Sequence, residues 1–260
     1  MLSTVKLQKL QQSLKEYKKQ FLDKPLGELD ESGTRLLINH FLTEILGFKT
    51  LEEVKTEYMI KGTYADYVIQ IGGKRHFLVE VKALSLNLSD KHLRQSINYG
   101  ANEGIDWVLL TNGRYFELYR VIFEKPISNE LVFSIDLGDL GSIKSNVEKL
   151  QFLHKDSVLK DGLEKLWKRH SALAPMSLSK FIYSEEIVKF LQKELKKKYD
   201  TKFELEHIEA AVIRLANSAV AIENIKPITK NSKKIKKDGE GESIESKPHD
   251  LGINNQPDSI

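Results

Sequence analysis

Three ionisable side chains lie on one predicted β-hairpin, and their types suit metal-dependent chemistry on a phosphate. Asp66 is on the first predicted strand, and Glu80 and Lys82 are on the second. Two carboxylates can supply the oxygen ligands that Mg²⁺ prefers, and the ion usually keeps several waters. A lysine beside it can stabilise charge on a phosphate or help to position the attacking water. The same residues could instead form ion pairs on a solvated hairpin, because D…ExK is a short and degenerate pattern.

The hairpin that carries these residues is indicated by its composition. Residues 64–71 and 76–81 are rich in β-branched and aromatic side chains, and Gly72-Gly73 supplies a turn between them. Since side chains alternate between the faces of a strand, Glu80 and Lys82 point to the same face.

The register of the hairpin decides whether the third residue joins them. A three-residue loop would pair Ile71 with Arg75 and would set Asp66 opposite Glu80. A two-residue loop would set Asp66 opposite Val79, on the other face. A functional site therefore requires the three-residue loop, which we expect.

Two helices are predicted before the hairpin. Apolar residues recur every three or four positions over residues 4–21, which is typical of an amphipathic helix that packs on the domain, although a coiled coil is an alternative. Asp30 is a good N-cap for a second helix, which ends at Gly47. On that helix Glu31 and Arg35 are four residues apart, and the simplest interpretation is a first-turn acid that pairs with the arginine.

The remaining elements predict an α/β fold with a mixed central sheet flanked by helices. We expect a strand at 55–60, a helix after Ser89, strands at 107–110 and 115–122 joined by Asn112-Gly113, and a strand at 131–137. This domain would span residues 1–138 and be followed by a helical region over 139–223. Residues 224–260 are lysine-rich and then acidic, which predicts a disordered tail that could contact phosphates.

Composition excludes several functional classes. The chain has 0 cysteines, which excludes a disulfide scaffold, a zinc ribbon and thiol catalysis. Its net charge is only +3, so no global basic field favours nucleic acid. No apolar run approaches the roughly 20 residues of a membrane span, and no signal-peptide core is evident, so we expect a cytoplasmic protein without a membrane segment. A G-x-x-x-x-G-K-[ST] loop is missing from the sequence, which predicts no ATP site in this chain.

Further motifs give the chain a family resemblance. Gln95 and Tyr99 lie four residues apart on the helix after the hairpin. Together with Asp66 and E-V-K at residues 80–82, they resemble the Q-x-x-x-Y branch of the PD-(D/E)XK nuclease superfamily. A closer resemblance is to the N-terminal domain of the type I restriction enzyme R subunit, and it covers about residues 27–136. The motifs that carry it are E-S-G-T-R at 31–35, L-G-F at 46–48, A-D-Y-V at 65–68, V-E-V-K at 79–82 and T-N-G at 111–113 followed by F-E-L-Y at 116–119.

The resemblance implies a restriction-endonuclease-like core and a Mg²⁺-dependent endonuclease that hydrolyses DNA in restriction or another defence role. Asp66, Glu80 and the Val81 carbonyl would bind Mg²⁺, for which Mn²⁺ could substitute. Lys82 would assist attack on the phosphodiester.

Three further residues have roles that the resemblance implies. Glu31 matches the acidic residue that the family has on its first helix. Gln95 and Tyr99 would line the cleft and steady the nucleic acid or the site. Ala65 departs from the proline of the superfamily name, as it does in many relatives.

The partners that the resemblance implies depend on how an ATP-driven motor would be supplied. A type I enzyme cuts after ATP-driven translocation, and this sequence contains no motor. Helicase, methylase and specificity subunits could act in trans, or the protein could be a stand-alone nuclease. Because one site cuts one strand, double-strand cleavage would need a homodimer or repeated nicking, and the first helix is a candidate dimer contact. The alternative function is a non-catalytic binding or assembly module that keeps the nuclease fold.

Overall fold

Six strands form one mixed sheet in the computed structural model, which describes residues 1–24, 29–60, 63–139 and 141–217. The strands are β1 (Val54–Ile60), β2 (Thr63–Ile71), β3 (Lys74–Val81), β4 (Trp107–Thr111), β5 (Tyr115–Ile122) and β6 (Ser128–Asp136). They lie side by side in chain order. Only β3 and β4 pair in parallel within this described sheet, because a helix connects them. The predicted α/β fold is confirmed, while its likeness to restriction endonucleases stays a prediction.

Helices precede, interrupt and follow the sheet. They are α1 (Thr4–Tyr17), α2 (Glu31–His40), α3 (Asp90–Glu103), α4 (Ile143–Leu150), α5 (Lys155–Val158), α6 (Gly162–Ala172), α7 (Pro175–Ile182), α8 (Glu185–Tyr199) and α9 (Leu205–Asn217). Short π-helical segments, Lys18–Leu22 and Phe41–Ile45, continue α1 and α2. Among the described residues, none of the helices is long and apolar enough to cross a bilayer.

Helix α2 begins and ends where its sequence signals predict. The Asp30 carboxylate caps the helix by accepting a hydrogen bond of 2.7 Å from the Gly33 N–H. The chain leaves the helical segment at Gly47, whose φ of +79° is disfavoured for residues with a Cβ. These two signals fix the position of Glu31 at the first turn of α2.

The hairpin loop differs from the prediction. Ile71 pairs with Lys74, so the loop contains only Gly72 and Gly73. The expected pairing of Ile71 with Arg75 and the three-residue loop are therefore wrong. The two glycines adopt positive φ values of 57° and 83°, which suit a tight two-residue turn between strands.

A β-bulge nevertheless brings the predicted carboxylates to the same face. Next to the loop, Gln70 pairs with Arg75, as the two-residue loop requires. The next residue of β2, Ile69, pairs with Phe77, so His76 of β3 has no partner in the ladder and forms the bulge. The extra residue moves the remaining ladder by one position. In the shifted register Tyr67 pairs with Val79, so the next residues, Asp66 and Glu80, lie beside each other. The predicted face is thus correct, although it arises in a different way.

Helices cover both faces of the sheet. On one face Ile69 and Val79 belong to a buried cluster that also contains Leu14 of α1 and Ile38 of α2. The opposite face packs Val68 and Leu78 against α3 residues, including Leu93 and Ile97. The sheet is therefore sandwiched between α1 and α2 on one side and α3 on the other.

The C-terminal helices begin within the larger of these clusters. Val147 and Leu150 of α4 and Leu163 of α6 are buried in it. Residues 1–212 form one compact unit, and of the second unit, residues 213–260, only 213–217 are described. The division at residue 138 stays a prediction, and the predicted tail at 224–260 lies outside the described residues.

Candidate active site

Four of the residues predicted from the sequence form one charged cluster. Asp66 of β2, Glu80 of β3, Lys82 after β3 and Glu31 of α2 are linked by hydrogen bonds or ion pairs, and Arg35 of α2 joins them. Asp66 and Glu80 are only 8% and 6% exposed. Buried carboxylates are energetically unfavourable unless they are paired, so the contacts of each oxygen matter.

Asp66 is held from two sides. Its Oδ2 accepts a hydrogen bond of 2.7 Å from the backbone N–H of Val81, which fixes it to β3. Its Oδ1 lies 2.6 Å from Nη2 of Arg35. Burial raises the pKa of Asp66, and this effect exceeds the opposing influence of the Val81 N–H and the Arg35 charge.

Glu80 has the same arrangement with different partners. Its Oε2 accepts a hydrogen bond of 2.9 Å from the Ser96 hydroxyl of α3. Its Oε1 accepts one of 2.7 Å from Nζ of Lys82. Burial, together with the charge of Asp66, raises the pKa of Glu80 despite the contact with Lys82.

Glu31 contacts both cations of the cluster, Arg35 and Lys82. Its Oε1 is 3.2 Å from Nη2 of Arg35, and its Oε2 is 3.4 Å from Nζ of Lys82. The predicted Glu31–Arg35 pair is therefore present, but Arg35 is closer to Asp66. Although burial lowers the pKa of Lys82, the carboxylates of Glu80, Glu31 and Asp66 raise it by more, so the lysine stays charged.

A hydrogen bond joins helix α2 to the sheet at the backbone of Arg35. The hydroxyl of Tyr67, on β2, donates a hydrogen bond of 2.7 Å to the carbonyl oxygen of Arg35. Burial, with a smaller contribution from the Asp66 charge, raises the pKa of Tyr67 to about 12, so its hydroxyl remains a donor. This bond joins the backbone that carries Arg35 to the residue next to Asp66.

The T-N-G turn holds the chain that follows Lys82. The Asn112 side-chain amide donates a hydrogen bond of 2.9 Å to the carbonyl of Leu86, and its oxygen accepts from the Tyr115 N–H at 2.8 Å. The backbone N–H of Lys82 donates to the Thr111 carbonyl at 2.8 Å. The turn therefore holds the backbone of Lys82 and the chain segment that follows it.

The two Q-x-x-x-Y residues lie in different environments on α3. Gln95 is exposed, whereas Tyr99 is fully buried between α3 and the sheet. It is Ser96, next to Gln95, that contacts Glu80. The roles of Gln95 and Tyr99 stay predictions.

Sequence reasoning missed Ser96 and assigned Arg35 to Glu31 alone. A signal for Ser96 exists, because it falls on the buried stripe of α3 formed by Leu93, Ile97 and Gly100. A small polar residue on an apolar stripe requires a buried partner. For Arg35 the sequence offers no comparable signal.

The donor set of the cluster fits a hard divalent cation. In each buried carboxylate one oxygen faces a neutral donor and the other faces a cation. Burial raises the pKa values of Asp66 and Glu80 by more than Arg35 and Lys82 lower them. Within the described ranges no group of three or more His, Cys, Asp or Glu residues could hold a metal. Two carboxylates such as Asp66 and Glu80 suit Mg²⁺, which is commonly held by one or two carboxylates and keeps several waters.

Comparison with known proteins supports the resemblance. Residues 30–132 match the family model of the type I restriction enzyme R protein N terminus. The match includes the whole charged cluster and Ser96, it spans less than half of the chain, and it is consistent with a role in a restriction system. Searches of curated proteins and of solved structures gave no significant match.

Proposed function

From the match of residues 30–132 to the R protein N terminus, we propose that this chain is a Mg²⁺-dependent endonuclease that hydrolyses DNA phosphodiester bonds in a restriction system. The observation that carries the proposal is the convergence of two buried carboxylates, Asp66 and Glu80, with Lys82. Such a group of charges is unfavourable as packing material, and its residue types suit phosphoryl chemistry.

The residues have separate tasks in this proposal. Asp66 and Glu80, with the Val81 carbonyl, would hold the ion, and their neutral donors keep the carboxylates oriented. When bound, the metal ion supplies an activated water and charge stabilisation at the phosphate. Lys82 is charged at neutral pH because its pKa is raised, so it acts as an electrostatic partner of the phosphate and not as a proton acceptor. Mn²⁺ would substitute for Mg²⁺.

A plasmid assay tests this function. Supercoiled DNA is incubated with the native protein, with Glu80→Gln and with Glu117→Gln, in Mg²⁺, Mn²⁺ or EDTA. Glu117 is a matched control, because it is a half-buried glutamate on the same sheet that accepts from the Tyr119 hydroxyl outside the cluster. We expect nicked or linear DNA with the native protein and Glu117→Gln, and intact DNA with Glu80→Gln or EDTA. Cleavage by folded Glu80→Gln at the native rate would refute the assignment.

A second candidate function is an assembly module that recruits motor or specificity subunits. The observation that favours it is the exposure of large apolar side chains on the C-terminal helices, namely Met176 and Phe181 of α7 and Phe190 of α8. Co-purification with a helicase or methylase, combined with intact plasmid whenever the isolated chain is tested, would favour this candidate. Cleavage that starts only after such subunits and ATP are added would support both functions together.

A further inference from the structure

Arg35 contacts the oxygen of Asp66 that a metal ion would need. The Val81 N–H holds Oδ2 of Asp66, so Oδ1 is the oxygen that remains for a cation, and Arg35 lies 2.6 Å from it. Lys82 has the equivalent position at Glu80, where Ser96 holds the other oxygen. Both cation-facing oxygens of the proposed metal site are therefore in contact with protein cations.

Glu31 offers both cations a second partner. Nη2 of Arg35 is 3.2 Å from one oxygen of Glu31, against 2.6 Å from Asp66. Nζ of Lys82 is 3.4 Å from the other oxygen, against 2.7 Å from Glu80. The Glu31 side chain is 40% exposed, so its charge is better solvated than that of either site carboxylate. A small movement of the Arg35 or Lys82 side chain would thus bring its charge to Glu31, so the cation would remain paired.

We propose that Arg35 is an exchangeable counter-ion that neutralises Asp66 before metal binds and moves to Glu31 when a divalent cation takes its place. This inference rests on the metal site of the proposed function. Glu31 acts in it as the acceptor for the displaced cations and not as a metal ligand. Arg35 is accordingly a positioning residue, and it makes metal binding compete with an internal ion pair.

The test measures Mn²⁺ binding by calorimetry at pH 8 without DNA. Arg35→Gln removes the competitor, so its Kd for Mn²⁺ should be about tenfold lower than that of the native protein, the value expected for loss of one charge-assisted contact. Glu31→Gln removes the acceptor, so its Kd should be higher. Variants that merely loosen the site would not change the Kd in opposite directions.

Two further variants control for charge and for loss of an ion pair. Arg35→Lys keeps the positive charge and should bind Mn²⁺ with nearly the native Kd. Arg114→Gln removes an Arg–Asp pair with both contacts to Asp136 at 2.9 Å, outside the cluster, and should leave the Kd unchanged. In EDTA, Arg35→Gln should melt at a lower temperature than the native protein but gain more from saturating Mn²⁺.

The outcomes separate the exchange from the proposed function. A native protein that binds Mn²⁺, together with an Arg35→Gln variant whose Kd is unchanged or higher, would overturn the exchange and leave the metal site intact. Failure of the folded native protein to bind Mn²⁺ or Mg²⁺ would overturn both.

Discussion

The hydrogen bond from Ser96 to Glu80 gives the sharpest test of how the site is held. Ser96→Ala removes one oxygen atom and keeps the helix, because alanine is the best helix former. Both side chains are almost fully buried, so water cannot readily replace the lost bond. The change therefore acts mainly on the ionised form of Glu80, which is the stronger hydrogen-bond acceptor.

The expected magnitude follows from the charge of the acceptor. A hydrogen bond to a charged group contributes about 1.5–3 kcal/mol, and one pKa unit corresponds to about 1.4 kcal/mol. Ser96→Ala should therefore destabilise the ionised form of Glu80 by about 1.5–3 kcal/mol and raise its pKa beyond the increase that burial already causes.

The sign of the pH dependence is fixed by the raised pKa. The folded protein binds a proton at Glu80 more tightly than the unfolded chain, so the free energy of unfolding falls as pH rises through the folded-state pKa. In Ser96→Ala this fall should continue to higher pH. Metal binding requires the carboxylate, so the pH midpoint of Mn²⁺ binding should move upward by about 1–2 pH units, which is the lost hydrogen-bond energy expressed on the pH scale.

The measurements are urea unfolding at pH 5 and pH 8 and Mn²⁺ titration across pH. Ser157→Ala is the matched control, because Ser157 is also fully buried, and its hydroxyl has no hydrogen-bond partner among the described residues. It should lose little stability at either pH. Equal losses for Ser96→Ala at pH 5 and pH 8, with an unchanged Mn²⁺ midpoint, would refute the reasoning.

Two other predictions concern the scaffold and are measured by urea unfolding. Tyr17→Phe should lower the free energy of unfolding by about 1 kcal/mol, because the hydroxyl donates a buried hydrogen bond of 2.8 Å to the Gly113 carbonyl; a native-like value would show that this bond contributes nothing. Gly100→Ala should lower it by about 1–3 kcal/mol, because its Cβ would lie 2.5 Å from the Ile105 carbonyl oxygen and α3 must shift. A loss below about 0.5 kcal/mol would mean that the loop after α3 adapts without strain.

Local sequence signals were sufficient for most elements. Asp30 and Gly47 delimit the second helical segment, and the Asn112-Gly113 pair joins β4 to β5 as expected. Each of these signals resides in a few neighbouring residues, whose backbone preferences hold whatever packs around them. The face shared by Glu80 and Lys82 follows in the same way from strand alternation.

The sequence by itself therefore determined the order of elements and the residue types of the site, whereas the tertiary structure decided how they meet. The bulge at His76 is a property of two paired strands, so the hairpin sequence alone predicted the wrong loop. The contacts of Arg35 with Asp66 and of Ser96 with Glu80 exist because α2 and α3 pack at the same end of the sheet. Contacts between distant segments depend on packing, which no local pattern specifies, and at this site they set the charge balance of the carboxylates.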